Sequence, residues 1–361
     1  MDFAFTEEQE LLKRSARELL EARYPLDRVA ATADSAEGFP RDEWTPIAQV
    51  GWTGIAVPES AGGAGLGFLE ELIVVEELGR ALYPGPFLGC VVMALPILRA
   101  AGSADLVQGI VSGARVATVA WAGEDGRFDL DPAPKLSWDG ERLSGTRLFV
   151  PHLGASDLLV VVGATPEGTS AWAIDRDSEG LAWRELPTVD GTRRMGEVVL
   201  QDVPARRLGI EGDRVLPGVR DRALAALAAE AVGAGSRALE LALEHARTRQ
   251  QFARPIGAFQ AVSHQLAQAF AEVETARSLV YWAGWAVSQN APEASVAAAA
   301  ARVRAGEAAA FACERAIQVH GGIGFTWEHP LHRFYKRVLA IGAFLGSADE
   351  LRARVAASIL H

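Results

Sequence analysis

The segment at residues 247–262, RTRQQFARPIGAFQAV, interrupts a long run of helix-forming sequence. Three stretches rich in alanine and leucine surround it, at residues 221–250, 259–288 and 294–319. Alanine and leucine favour helix, and each stretch is long enough to line a multi-helix bundle. Pro255 and Gly257 break helices, so the segment is predicted to leave Arg249 at a helix end. The sequence therefore predicts a helical C-terminal domain.

The residues before the bundle divide into a helical part and a β-rich part. Thr6 followed by Gln9 has the pattern of a capping box, and apolar residues at helical spacing follow it. Further helices are predicted at residues 44–50 and 69–82, and short β-type runs occur at 158–162, 170–174 and 197–200. We predict an α+β fold, mainly α, with a helical N-terminal domain at 1–112, a middle β domain at 113–210 and a C-terminal helical bundle at 211–361.

Composition and charge exclude several classes of function. Hydrophobic residues make up 49% and charged residues 22%, which is typical of a globular protein, and the formal net charge of -11 disfavours nucleic acid and anionic membranes as partners. Cys90 and Cys313 have no metal-ligand spacing, so no metal site is expected. The start Met1–Ala4 lacks a signal-peptide pattern, and the longest apolar stretch, 87–98, is too short to span a membrane. We expect a cytoplasmic protein.

Two segments carry candidate binding residues, and each has a structural alternative. Arg249 beside Phe252 suits an anionic planar ligand, since a guanidinium pairs with pyrophosphate while a ring packs on adenine or ribose. The alternative is a helix C-terminus stabilised by a cation. Gln318 precedes the pair Gly321 and Gly322, whose missing side chains allow a cofactor to approach the backbone. The alternative there is a helix C-cap.

The two segments together resemble the acyl-CoA dehydrogenase family. The resemblance rests on Arg-x-x-Phe, Pro-Ile-Gly-x-Phe-Gln and Gln-x-x-Gly-Gly-x-Gly in this order, and it extends to segments such as Glu76-Glu77-Leu78-Gly79-Arg80. It implies a four-helix C-terminal bundle, FAD as cofactor, and a flavin whose adenine and pyrophosphate end is held by the neighbouring subunit. The residues implied to serve a partner's FAD in this way are Arg249, Gln251, Phe252, Gln318, Gly321 and Gly322.

The sequence departs from the family at the catalytic base. The family's reaction needs a carboxylate to remove the proton next to the thioester carbonyl. Most members carry a Glu before a Gly-Thr or Gly-Ser pair, where this chain has Leu345, and some relatives carry the base at the position of Ala223. Other candidate bases nearby or within the motifs are Asp221, Asp349, Glu350, His320 and His152. The catalytic base is therefore not assigned by the sequence.

The flavin edge departs as well. The family's Thr-Glu-Pro-x-Ala-Gly-Ser-Asp segment corresponds to residues 118–125, TVAWAGED, and its Trp-Ile-Thr-Asn segment corresponds to 149–152, FVPH. Phe149 keeps an aromatic ring, but Pro151 supplies neither a hydroxyl nor a backbone N–H. A subunit that contributes to a partner's flavin site is compatible with this change.

Three hypotheses follow from the resemblance. The first is an active homo-oligomeric acyl-CoA dehydrogenase with a displaced base. The second, which we favour, is a base-deficient subunit of a heteromeric enzyme that acts on acyl-CoA, including steroid or other bulky esters. The third is a flavin-dependent monooxygenase or acyl-CoA oxidase on the same fold, since fold alone does not fix the reaction. The resemblance also implies an electron-transfer flavoprotein as electron acceptor.

Overall fold

A computed structural model describes residues 5–128 and 133–360, so the start Met1–Ala4 lies outside the described residues. The helices are α1 Glu7–Arg23, α2 Leu26–Asp34, α3 Trp44–Gln49, α4 Phe68–Arg80, α5 Leu95–Ala100, α6 Ala104–Val111, α7 Gly212–Thr248, α8 Gln260–Ser288, α9 Ala294–His320, α10 Leu331–Ala343 and α11 Ala348–Leu360. The strands are β1 Ala117–Ala120, β2 Ser137–Trp138, β3 Arg142–Pro151, β4 Leu158–Thr165, β5 Gly168–Asp175, β6 Leu181–Leu186, β7 Met195–Pro204, β8 Arg206–Leu208, β9 Gln250–Gln251 and β10 Arg254–Pro255. The predicted mainly helical α+β class is confirmed.

The chain forms two compact units, and the first contains residues 1–31, 68–83 and 224–361. Helix α1 begins with the predicted capping box, in which the Thr6 hydroxyl accepts from the Gln9 N–H and the Gln9 side chain accepts from the Thr6 N–H. Ion pairs join α1 to α4: Lys13 Nζ lies 2.9 Å from Glu76 Oε1, and Arg17 donates two hydrogen bonds to Glu77. Gln9 also donates to Glu70 of α4 at 2.7 Å. Contacts from Gln9, Lys13 and Arg17, spaced four residues apart, thus hold α1 along α4.

Small residues let the bundle helices approach closely. A Cβ added at Gly233 of α7 would lie 1.9 Å from the Glu76 carbonyl oxygen of α4, and one added at Gly235 would lie 2.8 Å from Ala309 of α9. The alanines of α9 are buried along almost the whole helix. These contacts explain why the sequence uses glycine and alanine here, because larger side chains would separate the helices.

Buried charges in this unit are paired across helices. Glu76 accepts from Tyr281 at 2.8 Å and lies 3.2 Å from Arg277 Nε, and Arg337 of α10 donates to Glu230 of α7. Burial alone would raise the pKa of Glu76, but Arg277 and the other cationic partner outweigh it, so its pKa lies below the ordinary range. The buried carboxylate is therefore ionised and helps fix the register of α4 and α8.

The second unit contains residues 32–67 and 84–223. Its strands form two sheets, one in the order β1-β4-β5-β8 and the other in the order β2-β3-β7-β6. Strand β1 pairs parallel with β4, and the other pairs in these sheets are antiparallel. Val161 and Trp172 from one sheet share a core with Leu143 and Val198 from the other. The predicted β runs correspond to β4, β5 and β7.

One boundary differs from the sequence prediction. Helix α7 begins at Gly212 and includes Pro217, whereas the sequence suggested a helix beyond Pro217. The backbone nitrogen of Pro217 cannot donate, so α7 lacks one intrahelical hydrogen bond in its second turn. The division into three domains remains a prediction. Among the described residues, no helix is both long enough and apolar enough to cross a membrane.

Candidate cofactor site

The break after α7 folds as a short hairpin, which we call the arginine hairpin and define as residues 249–256. The Arg249 N–H donates to the His245 carbonyl at 2.8 Å, and β9 and β10 pair antiparallel. The turn residues Phe252 and Ala253 have φ values of 51° and 59°, the left-handed pair that a two-residue hairpin of the I′ type requires. The predicted helix break is therefore an ordered hairpin with Arg249 at its base.

The hairpin carries positive charge that its own chain does not neutralise. Arg249 and Arg247 are exposed, and neither side chain forms an ion pair within residues 5–128 and 133–360. The Arg254 guanidinium lies 4.1 Å from the centroid of the Phe259 ring. In a chain with a net charge of -11, such a cluster is suited to a bound anion such as a pyrophosphate.

Phe252 stands at the tip of the hairpin with 88% of its surface exposed. Its ring lies 6.1 Å from the Phe259 ring at an interplanar angle of 80°. A left-handed conformation costs a residue with a side chain about 1–3 kcal/mol, and an exposed ring gains no burial in return. Packing of the Phe252 ring against a ligand or another subunit would offset this conformational cost.

The glycine pair follows directly on α9, which ends at His320. Gly321 has φ 66° and ψ −140°, so the C-cap alternative explains this glycine. It does not explain Gly322, where φ is not positive and an added Cβ would meet no atom within 4 Å. Gln318 is exposed beside the turn. The open space over Gly322 is compatible with close approach of a cofactor.

Stacked imidazole rings bring the two segments together. The rings of His245 and His320 lie 4.3 Å apart at an interplanar angle of 23°, and the ring of His329 lies 4.4 Å from His320 on a tilt of 51°. His245 is one helical turn before Arg249, and His320 immediately precedes Gly321. The six predicted cofactor residues therefore converge on one end of the bundle.

The sequence analysis did not identify His245 and His329 as site residues. Sequence positions gave a signal for them. His320 directly precedes the glycine pair, His245 lies four residues before Arg249, and His329 lies four residues after Phe325. Burial and the neighbouring His320 and Arg249 charges lower the pKa of His245. Among the described residues, no group of three or more His, Cys, Asp or Glu is arranged to hold a metal ion.

The residues of this end fit the adenine and pyrophosphate part of FAD. Arg249 offers an uncompensated cation, Phe252 offers an exposed ring, and the backbone at Gly322 is open. An anionic group with a planar ring matches each of these properties.

The flavin-edge segment lies in the second unit, where its hydroxyl is already used. Thr118 is fully buried, and its hydroxyl donates to the Pro151 carbonyl at 2.6 Å. A Cβ added at Gly89, in the buried π-helical segment Leu88–Ala94, would lie 2.9 Å from that hydroxyl oxygen. His152 is also buried, and its Nε2 lies 3.0 Å from the Pro84 carbonyl, to which it donates. The Thr118 hydroxyl proton and the His152 Nε2–H are therefore used within their own unit.

Neither family position for the base holds a carboxylate, and two acids close to Leu345 in sequence have other partners. Ala223 is fully buried, and Leu345 is 3% exposed with φ 61° in the loop between α10 and α11. Glu350 accepts from the Ser347 N–H and hydroxyl at the start of α11, and Asp349 pairs with Arg352 at 2.7 Å. Both acids are thus accounted for by the helix start.

Two further candidate bases have distinct surroundings. His320 Nδ1 donates to the Ala316 carbonyl at 2.8 Å and its ring belongs to the stack, which gives it a structural role. Asp221 is 7% exposed, and its Oδ1 lies 3.8 Å from Arg220 Nε. Asp221 is therefore the buried carboxylate closest in sequence to a family base position.

Comparison with known proteins identifies relatives over the whole chain. The acyl-CoA dehydrogenase N-terminal domain matches residues 6–112, and the acyl-CoA dehydrogenase C-terminal domain matches residues 221–360. The chain is 33% identical to acyl-CoA dehydrogenase IpdE2 of Mycobacterium tuberculosis over 98% of both chains. Two solved structures are also similar. One, the Tcur3481-Tcur3483 steroid ACAD G363A variant, has 34% identity, a TM-score of 0.89 and 98% coverage of both chains. The other, the ChsE4-ChsE5 complex of M. tuberculosis, has 30% identity and a TM-score of 0.91, covering 100% of this chain and 99% of that one.

Proposed function

Because this chain belongs to the acyl-CoA dehydrogenase family, we propose that it completes the FAD site of a Glu-bearing partner in a heteromeric acyl-CoA dehydrogenase. The family consists of oxidoreductases that act on acyl-CoA thioesters. In their desaturation, a carboxylate takes the proton from the carbon next to the thioester carbonyl, and FAD, when bound, accepts the hydride from the next carbon. The proposal assigns this chain to cofactor binding and the proton abstraction to the partner.

The observation that carries the proposal is the apolar character of both base positions. The side chains of Leu345 and Ala223 are buried hydrocarbons and cannot accept a proton. Loss of a general base costs about 10²–10⁴ in rate. A chain that relied on either position for its base would therefore desaturate a thioester slowly.

The flavin-edge segment supports the same assignment. The Thr118 hydroxyl is satisfied by the Pro151 carbonyl, and Pro151 has no N–H to offer. By contrast, the arginine hairpin and the glycine pair keep their cation, their exposed ring and their open backbone. The part implied to serve the neighbour's cofactor is therefore preserved, while the part implied to serve the chain's own flavin is altered.

Exposed apolar side chains at the same end of the bundle support a partner subunit. They belong to the arginine hairpin and to the turn after α9, and they are Phe252 at 88%, Ile323 at 52%, Phe325 at 75% and Trp327 at 69% exposed. Apolar side chains grouped on a surface typically mark an interaction site, and aromatic residues are enriched in interface cores. A neighbour that covers them would also bring its cofactor to Arg249.

The relatives extend the proposal to substrate and assembly. A similar structure is described as a steroid ACAD, which supports a steroid or similarly bulky acyl-CoA ester as substrate. The similarity to the ChsE4-ChsE5 complex supports assembly with a second, different chain. Family resemblance supports an electron-transfer flavoprotein as the acceptor of the electrons.

An active homo-oligomer with a displaced base is the second candidate function. It is favoured by Asp221, a buried carboxylate two residues before Ala223. In this alternative, Asp221 would take the substrate proton directly.

Anaerobic mixing with acyl-CoA separates the two candidates. The purified chain, supplied with FAD, should bleach its oxidised-flavin absorbance about 10²–10⁴-fold more slowly than a mixture with a Glu-bearing homologue. Both simple and steroid-type acyl-CoA esters should be offered. Rapid bleaching by the chain alone would overturn the proposal. If Asp221→Asn then abolished that bleaching while the exposed control Asp349→Asn did not, the homo-oligomeric alternative would be correct.

A further inference from the structure

His245, His320 and His329 form a column of three rings between the arginine hairpin and the turn after α9. His320 is the central ring, with centroid distances of 4.3 Å to His245 and 4.4 Å to His329. Its Nδ1 donates to the Ala316 carbonyl at 2.8 Å, so uncharged His320 carries its proton on Nδ1. This bond ties the ring to α9, while the His245 ring stacks on it and the His329 ring contacts it at a tilt.

A cleft lies beside the hairpin. A cavity of about 540 Å³ lies beside it, lined by its own Pro255 and by residues of α7 and α8, including Leu243, Ala246, Leu266 and Phe270. A segment over a cleft is free to change position unless another contact holds it. The ring stack is one contact that ties the end of α7 to the end of α9.

We propose that the stack of His245, His320 and His329 is a positioning device, which holds Arg249 and Phe252 against the glycine pair while the rings are uncharged and releases them when the rings are protonated. The inference rests on the proposed function for its purpose, because the two segments are the halves of the proposed cofactor site. The three histidines act through Arg249 and Phe252 and are not catalytic residues.

Charge repulsion supplies the mechanism. The groups that face the stack are Arg249 at the end of α7 and His332 of α10, both cationic or able to become so. Among the described residues, no carboxylate lies within ion-pair distance of His245, His320 or His329. A proton added to one ring therefore meets like charge from its neighbours and no compensating anion, which favours separation of the rings.

The direction of the pH effect follows from proton binding. Burial and the neighbouring cationic groups lower the pKa values of His245 and His329, so the closed arrangement binds fewer protons than the open one. Its stability is complete above the ordinary imidazole pKa of about 6.5 and is lost as the pH falls below it. Each ring contributes at most about a tenfold change in the closed-to-open ratio per pH unit.

Hydrogen exchange on the full chain tests the proposal without any cofactor. After correction for intrinsic exchange rates, amides in residues 249–256 and 318–326 should lose about tenfold protection or more between about pH 7.5 and about pH 5.5. The double variant His245→Phe/His329→Phe keeps both outer rings but neither can be protonated, so it should remove most of this pH dependence. His264→Gln alters an exposed histidine of α8 and should behave like the wild type.

Two outcomes would overturn the proposal: unchanged protection in the wild type at the two pH values, or the same loss of protection in His245→Phe/His329→Phe. If His245→Phe/His329→Phe fails to fold, histidine ring NMR of the wild type decides instead. The rings of His245 and His329 should titrate below the ordinary imidazole pKa of about 6.5, and titration at or above that value would refute the inference. Neither measurement involves FAD, so failure of the cofactor assignment would appear separately, in flavin retention by Arg249 variants.

Discussion

Arg249→Ala should weaken FAD retention while leaving the fold intact. A charge-assisted hydrogen bond contributes about 1.5–3 kcal/mol, and each 1.4 kcal/mol is tenfold in affinity, so the expected loss is about 10- to 150-fold. The upper part of this range requires that the ligand or the partner subunit excludes water from the contact, because Arg249 is exposed in the single chain. Its side chain forms no ion pair with the described residues, so the free energy of unfolding should change by less than about 0.5 kcal/mol.

The assay is flavin content and FAD titration on the assembly purified through a tag on this chain. Arg249→Lys keeps the charge but loses the planar two-donor geometry, so it should fall between the wild type and Arg249→Ala. Arg247→Ala removes an exposed charge two residues away and should cost at most about fivefold, the effect of about 1 kcal/mol. Equal flavin content and affinity in the wild type and Arg249→Ala would refute the assignment. Equal losses in Arg247→Ala and Arg249→Ala would show a general field effect and not a specific contact.

Two further predictions concern the bundle. Gly233→Ala should destabilise the protein by about 1–3 kcal/mol, because its Cβ would lie 1.9 Å from the Glu76 carbonyl oxygen. The control Gly218→Ala meets open space in the same helix and should be neutral or stabilise by up to about 1 kcal/mol. Urea unfolding of both variants checks this, and equal effects would contradict the close packing. Burial raises the pKa of Glu76, but Arg277 and its other partners bring it below the ordinary range, so its contribution to stability is present at neutral pH and is lost as acid protonates it. Thermal unfolding between about pH 7 and about pH 3 should therefore show a shallower acid dependence for Glu76→Gln than for the wild type or the exposed control Glu10→Gln; an unchanged slope would exclude this role.

Local patterns predicted most of the secondary structure because they depend on neighbouring residues. The capping box at Thr6 and Gln9 formed as expected, and the alanine-rich stretches became α7, α8 and α9. The predicted start of this helix, residue 221, was wrong, since α7 begins at Gly212 and continues through Pro217 with one backbone donor missing. Propensity therefore gave the type of each element more reliably than its limits.

The candidate bases illustrate what sequence position alone leaves open. Asp349, Glu350 and Asp221 are all acids near a family base position, yet Glu350 completes a capping box, Asp349 pairs with Arg352, and only Asp221 is buried. Their ability to act as a base depends on burial and hydrogen bonds, which sequence proximity does not specify.

The sequence by itself determined the class of elements, the helix break at Pro255 and Gly257, and the absence of a carboxylate at residues 223 and 345. These properties follow from residue chemistry and from contacts within a few positions of the chain. Tertiary structure decided that His245, His320 and His329 stack, and that the Thr118 hydroxyl is satisfied by Pro151. Such contacts join residues far apart in the chain, and their geometry is set by how whole helices and strands pack.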